Sequence, residues 1–185
     1  MEFHVQPLAS ALSTGKKFAV LCALLTQSAT AYTEPAKGSP AASVSQSIDD
    51  AVISVEYSRP GVRGRVIWGQ LVPYDEVWRA GANDKTSIEF SDDVVIEGKK
   101  IPAGIYSLFI LVTEDNWTVI LNSDWMGHGT DYDEAKDVIR FVVSPSDVSH
   151  EEWLRYGFES LESDAVTLYL HWERKKIRFH INLVA

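Results

Sequence analysis

The stretch DDVVIEGKKIPAGIYSLFILVTEDNWTVIL, Asp92–Leu121, decides the fold of this chain. A short apolar run turns at Gly98 and again at 102–104, then continues into the almost uninterrupted apolar run Ile105–Val112. The polar residues EDN separate that run from a further one, WTVIL. Short runs of β-branched and aromatic residues bounded by Gly, Pro, Asn and Asp are typical of strands joined by tight turns. The stretch therefore predicts consecutive antiparallel β-strands.

The same pattern extends in both directions along the chain. AVISVEY at 51–57 and TSIEF at 86–90 alternate apolar and polar residues, which is the period of a strand with one buried face. DVIRFVV and LRYGFES add two more runs. About nine strands with frequent turn signals predict an all-β, mostly antiparallel, jelly-roll-like β-sandwich, with a closed barrel as the alternative. The one helix signal, YDEVWRAG with Asp75 as N-cap and Gly81 as stop, predicts at most one short helix.

The last two apolar runs, AVTLYLHW and KKIRFHINLV, are predicted to form a hairpin. With Glu173–Lys176 as the loop, Tyr169 faces His180 and His171 faces Arg178. One face of this pair is then wholly apolar and the other polar or amphipathic, as an antiparallel pair with one buried face requires.

The N-terminal residues 1–31 have the features of a secretory signal peptide. Lys16 and Lys17 precede the apolar run Phe18–Leu25, and SATA follows at 28–31. That run is far shorter than the roughly 20 residues of a membrane-spanning helix, so we expect an exported protein, periplasmic or secreted. Cys22 is the only cysteine, so the mature protein is expected to be cysteine-free and to contain no disulfide. Residues 32–50 are predicted to be a flexible linker and 51–185 the β-sandwich domain.

The charge of the chain argues against nucleic acid as a partner. The full sequence has 17 basic and 26 acidic residues. Removing residues 1–31 takes away two lysines and one glutamate, leaving 15 basic and 25 acidic residues and a net charge of about −10. Contact with phosphate backbones needs a net basic face. No other apolar stretch has membrane-spanning length, so no membrane span is predicted.

Several signatures resemble those of a known family. They are YSRP at 57–60, WRAGAN at 78–83, and PAGIYSLF at 102–109. In this order they are similar to the exported β-domains described as domain of unknown function 2911, over nearly everything from Ser39 to the end. The resemblance implies a β-rich exported domain. It implies no activity, because none is agreed for that family.

Four of the eight arginines beyond residue 31 fall within 57–83, beside two tryptophans. Guanidinium groups bind carboxylates and phosphates through paired hydrogen bonds, so the segment predicts a site for a small anionic or polar molecule. The candidate ligand-binding residues are Arg59, Arg65, Trp78, Arg79 and Asn83. Alternatively, these arginines pair with acids such as Glu56 or Glu89 and hold a long connection onto the sheet, whose glycines permit tight turns.

Other polar groups support weaker hypotheses. Lys85 and Thr86 could extend the arginine site, or could serve only to begin a strand. His171, His180 and His128 do not reach the three or four convergent ligands that zinc needs, and the acids of the run Asp131–Asp137 lack the order of a calcium loop. We therefore predict no metal and no cofactor.

The sequence leaves the class of function open. There is no nucleophile elbow, no cysteine beyond Cys22, and no phosphate-binding glycine loop before a helix. The favoured prediction is an exported domain that binds a small anionic or polar ligand through 57–86. The alternatives are an envelope or extracellular enzyme acting on a carbohydrate-like substrate, with unknown catalytic residues, and a protein-interaction module of the cell envelope.

Overall fold

The computed structural model describes residues 38–184. The predicted signal peptide, 1–31, and the first part of the predicted linker lie outside this range. Within 38–184 there is no helix long and apolar enough to cross a membrane. The described residues form two antiparallel sheets, which confirms the predicted all-β sandwich over the closed barrel.

The first sheet has seven strands. The order is β1-β2-β4-β7-β8-β9, and β3 pairs with β7 beside β4. Their bounds are β1 Ala41–Ile48, β2 Ala51–Ser58, β3 Val77–Trp78, β4 Ser87–Phe90, β7 Gly104–Val112, β8 Trp117–Asn122 and β9 Asp137–Val143. A 3-10 helix, Glu134–Lys136, precedes β9.

The second sheet has four strands in the order β10-β11-β5-β6. Their bounds are β5 Val94–Ile96, β6 Lys99–Ile101, β10 Ser146–Glu159 and β11 Ala165–Leu183. The decisive stretch 92–121 thus supplies β5 to β8. Its first two strands lie in the second sheet and its last two in the first, so the chain changes sheet at the Pro102–Gly104 turn.

Strand β11 folds back on itself. Thr167 Oγ1 lies 2.9 Å from His180 Nδ1, and the Leu183 amide donates to Asp164 O at 2.7 Å. Thirteen residues of straight strand would span roughly 43 Å, so the chain must reverse between them. The reversal falls at Glu173, which has a left-handed φ of 55°. The predicted hairpin is present, but its register was wrong, since Thr167 rather than Tyr169 contacts His180.

Two local predictions were also wrong. Within the predicted linker, Ala41–Ile48 form β1, because all eight residues pair with β2 through the backbone although most of their side chains stay at least partly exposed. The predicted helix at 74–81 is absent. Asp75 and Ala80 have left-handed φ values of 62° and 51°, and the residues between them include extended β3, paired with Leu111 and Ile110.

The core lies between the two sheets. Ile53 and Val55 of β2 and Leu168 of β11 are fully buried, as the alternating pattern predicts. Aromatic pairs join the sheets: the rings of Phe141 and Phe179 lie 5.2 Å apart and those of Tyr57 and Tyr156 lie 4.8 Å apart. A domain without disulfides depends on such packing for its stability.

Candidate ligand-binding site

The connection from β2 to β4 crosses from one sheet to the other and back. The Val62 amide donates to Glu152 O of β10 at 2.8 Å, which attaches the start of the connection to the second sheet. The Asp75 amide donates to Val112 O at 2.8 Å, which returns it to the first sheet. Because both ends of the irregular segment are fixed, its side chains are held at defined positions.

A cavity of about 380 Å³ opens between this connection and Trp172, which precedes the reversal within β11. Four of the five residues predicted from sequence line it together, and Arg59 does not. The lining residues are Ser39, Pro60, Arg65, Leu71, Val72, Trp78, Arg79, Gly81, Ala82, Asn83 and Trp172. None of them is acidic, so the formal charge of the wall is positive.

Arg79 has no partner of its own within 38–184. Its Nε is buried without a hydrogen-bond partner, and no carboxylate of the described residues forms an ion pair with it. A neighbouring loop passes directly over its side chain at Gly129, where an added Cβ would lie 2.0 Å from Arg79 Cδ. A buried cationic donor without an acceptor is energetically costly. Such a group is suited to bind an anionic ligand, to which it can donate hydrogen bonds.

Four tryptophans form the cluster that supports the cavity. Trp68 packs against Trp117 with ring centroids 4.4 Å apart, and Trp78 lies nearly parallel to Trp172 at 5.9 Å. Trp172 is 1% exposed, yet its Nε1 has no hydrogen-bond partner among the described residues, and the same holds for Trp68 Nε1. Buried indole N–H groups usually find an acceptor, so these two unpaired donors are exceptions within the cluster.

The remaining polar groups of the wall are partly engaged by the chain itself. Arg65 donates to the carbonyls of Val62 and Gly61, at 3.1 and 2.5 Å. The side-chain amide of Asn83 donates to Ser39 O and Ser58 Oγ, both at 3.2 Å. Arg65 and Asn83 therefore shape the rim, whereas Arg79 keeps its donors free.

Arg59 has a different role. Its Nε donates to Leu154 O of β10 at 2.9 Å, and its amide donates to Pro40 O at 2.8 Å. The alternative prediction, that arginines hold the connection onto the sheets, describes Arg59 well. The predicted pairing with Glu56 or Glu89 is absent for Arg59, Arg65 and Arg79 in the part of the chain that the structure describes.

The loop that carries Arg79 is fastened by buried hydrogen bonds. Ala80 O accepts from the Tyr156 hydroxyl at 2.8 Å and from Thr86 Oγ1 at 3.2 Å. Trp78 Nε1 donates to Gly81 O at 3.1 Å. Burial raises the pKa of Tyr156 well above its ordinary value, so this phenol remains a donor at any physiological pH. Thr86 therefore binds a backbone carbonyl and does not line the cavity.

A second depression, of about 450 Å³, lies along β1 and β2. Its walls include Glu56, Asp84 and Lys85. Lys85 is already committed, since its buried ammonium group lies 3.3 Å from Asp124 Oδ2 and donates to Asp124 O at 3.0 Å. With its cation paired and two acids in the wall, this depression is less suited to an anion than the smaller cavity.

The Lys85–Asp124 pair predicts a dependence of stability on pH. Hydrogen bonds from Lys136 and then Lys85 lower the pKa of Asp124 below its ordinary value of 3.8. The Asp124 carboxylate is then protonated more readily in the unfolded chain than in the folded one. Its contribution to the free energy of unfolding is therefore present above that value and is lost as the pH falls through the folded pKa. In urea titrations across the acidic range, the free energy of unfolding should decline less with falling pH for Asp124→Asn than for the wild type. Parallel declines would contradict this assignment.

Several of the histidines and loop acids have partners within the chain itself. His171 Nε2 contacts Ser149 O at 3.0 Å, and His128 Nδ1 contacts Thr130 Oγ1 at 3.0 Å. Asp133 caps the 3-10 helix, and Asp137 binds Arg140 and Tyr132. Within 38–184 no group of three or more His, Cys, Asp or Glu side chains converges as metal ligands.

Two residues important to the cavity, Trp172 and Gly129, were not predicted as site residues. Trp172 lies next to the reversal within β11, and Gly129 lies in the loop before the 3-10 helix. The available signal was the place of Trp172 beside the hairpin turn, at the edge of the core. For Gly129, only the spatial approach to Arg79 reveals its role.

Comparison with known proteins identifies one family. A family model described as "Protein of unknown function (DUF2911)" matches residues 39–181. No curated protein and no solved structure shows significant similarity to the chain. The match covers both sheets except the last two residues of β11, and it includes every residue that lines the cavity.

Proposed function

Since the chain belongs to the DUF2911 family, whose description names no activity, we propose from the cavity itself that the domain binds a small anionic molecule through Arg79. Arg65 and Asn83 complete the polar rim, and Trp78 forms part of the wall. The proposal includes export, which rests on the sequence of residues 1–31 alone.

The observation that carries the proposal is the state of Arg79. Three of the four arginines in the connection have partners within the chain. Arg59 donates to one backbone carbonyl and Arg65 donates to two. Arg63 lies over the ring of Trp153, 5.3 Å from its centroid. Arg79 alone lines the cavity with unshared donors. Hydrogen bonds to an ionised partner are roughly twice as strong as neutral ones, so an anion is the ligand that gains most here.

The size and charge of the cavity agree with a small ligand. Small-molecule sites usually occupy roughly 300–1,000 Å³, and this cavity measures about 380 Å³. A wall with two guanidinium groups and no carboxylate attracts anions in a protein that is otherwise acidic. Metal cations and polyamines are disfavoured for the same reason.

Thermal unfolding of the full chain tests the proposal. The panel comprises inorganic phosphate, sulfate, small carboxylates and neutral sugars, applied to the wild type, Arg79→Gln and Arg174→Gln. The last is a matched control, because the Arg174 side chain is 65% exposed and does not line the cavity. A ligand at about 100 times its Kd stabilises the folded state by about 2.7 kcal/mol.

We expect at least one anion to raise the Tm of the wild type and of Arg174→Gln but not that of Arg79→Gln. Loss of one charge-assisted hydrogen bond should weaken binding by about 10- to 100-fold. If no anion shifts the Tm, or if Arg79→Gln responds as the wild type does, the proposed function is wrong.

A further inference from the structure

The wall of the cavity also has an apolar part. Pro60, Leu71 and Val72 come from the connection, and the rings of Trp78 and Trp172 complete it. Leu71 is 42% exposed and Trp78 is partly exposed, so these two side chains offer apolar surface to a ligand, whereas Val72 and Trp172, each 1% exposed, belong to the core behind the wall. Apolar surface of this kind stabilises a ligand only if the ligand has an apolar body to cover it.

The polar part of the wall matches a single negative charge. Arg79 is the one lining cation with all its donors unshared by the described residues. Phosphate sites usually combine several cations with a helix N-terminus or a run of backbone amides. The described residues contain no α-helix, and Arg65 already donates to two carbonyls.

Sugars are also poorly matched. Carbohydrate recognition needs many directional partners for hydroxyl groups. The polar side chains in the wall other than arginine and tryptophan are those of Ser39 and Asn83, and the amide of Asn83 already donates to two oxygens. A planar carboxylate, in contrast, needs one guanidinium fork.

We propose that the ligand is an organic monocarboxylate with an aromatic or branched apolar body, its carboxylate on Arg79 and its body against Trp78 and Leu71. This inference rests on the proposed function, since it specifies the anion that the same site takes. No covalent step is involved.

Titration of the full chain with three probes tests the inference, with tryptophan fluorescence and calorimetry as readouts. Hydrocinnamate carries the charge and the ring, hydrocinnamide is its neutral analogue, and inorganic phosphate carries charge without a body. We expect hydrocinnamate to bind at least 10-fold more tightly than either of the other two. Arg79→Gln should weaken the binding of hydrocinnamate by about 10- to 100-fold and leave the affinity for hydrocinnamide unchanged.

Leu71 isolates the apolar contribution. It is 42% exposed, so Leu71→Ser should fold normally while weakening hydrocinnamate by about 3- to 10-fold. Leu161→Ser is the matched control, because Leu161 is 58% exposed and does not line the cavity. An unchanged affinity in Leu71→Ser would overturn the placement of the apolar body.

The outcomes separate the inference from the proposed function. Tighter binding of phosphate than of hydrocinnamate, with loss in Arg79→Gln, overturns the carboxylate inference and leaves the anion site intact. Equal binding of hydrocinnamide and hydrocinnamate, unaffected by Arg79→Gln, overturns both. So does the absence of binding by all three probes.

Discussion

Replacing Trp117 with alanine is expected to lower the free energy of unfolding by about 3–5 kcal/mol. Trp117 is 2% exposed and begins β8, whose neighbours are β7 and β9. Its ring packs 4.4 Å from that of Trp68, which in turn contacts Trp78 and Trp172. Truncation removes a large buried surface and leaves a cavity that the surrounding strands can fill only in part.

Urea unfolding followed by circular dichroism measures this change, and Trp125→Ala is the matched control. Trp125 is 39% exposed, so the same substitution there should change the free energy by no more than about 0.5 kcal/mol. A loss of 3–5 kcal/mol is a large part of the 5–15 kcal/mol that is typical of whole domains. If the two variants unfold at the same urea concentration, the tryptophan cluster does not support the fold as described.

The strands that sequence patterns predicted are those whose side chains alternate between core and solvent. β2, β4 and β9 have this pattern, and the turns at Gly98 and at 102–104 mark the ends of β5 and β6. Burial determines both the residue types and the strand, so the pattern is visible before the structure is known. The hairpin within β11 was predictable for the same reason.

The strands that were missed have weak sequence signals: the inward-facing residues of β1 alternate with exposed ones but include Ala42 and the polar Gln46. β1 consists of Ala, Ser, Val, Gln and Ile, and its register with β2 comes from backbone pairing over eight residues. β3 has two residues, and the helical appearance of its surroundings is overridden by the left-handed φ angles of Asp75 and Ala80. Trp78 packs on Trp172 there, and tertiary contacts of this kind override local helix propensity.

The candidate site was predictable only where its residues are close in sequence. Arg65, Trp78, Arg79 and Asn83 fall within one arginine-rich segment, and the structure brings them to one cavity. Arg59 belongs to the same segment but lies outside that cavity, because its side chain extends to the carbonyl of Leu154. Trp172 is separated from Arg79 by more than half of the described chain, and composition alone does not connect such distant positions.

Gly129→Ala is expected to disturb Arg79 directly and to lower the free energy of unfolding by about 1–3 kcal/mol. The added Cβ would lie 2.0 Å from Arg79 Cδ and 2.8 Å from Asn83 O. Both distances are shorter than contacts between unbonded atoms allow, so the loop or the guanidinium group must move. Any anion that stabilises the wild type through Arg79 should then stabilise Gly129→Ala much less.

A double-mutant cycle with Arg79→Ala, measured by urea unfolding, separates this contact from general loop strain. Removing the Arg79 side chain takes away the nearest clashing atom. The loss of unfolding free energy caused by Gly129→Ala should therefore be at most half as large in the Arg79→Ala background as in the wild type. Gly127→Ala is the control in the same loop. Its φ of 99° makes alanine unfavourable there, but an added Cβ would meet only Asp131 Oδ2, at 3.7 Å. The cost of Gly127→Ala should therefore be the same in both backgrounds. Equal costs of Gly129→Ala in the two backgrounds would show that the loop does not position Arg79, because the energy of a real contact must disappear with either of its partners.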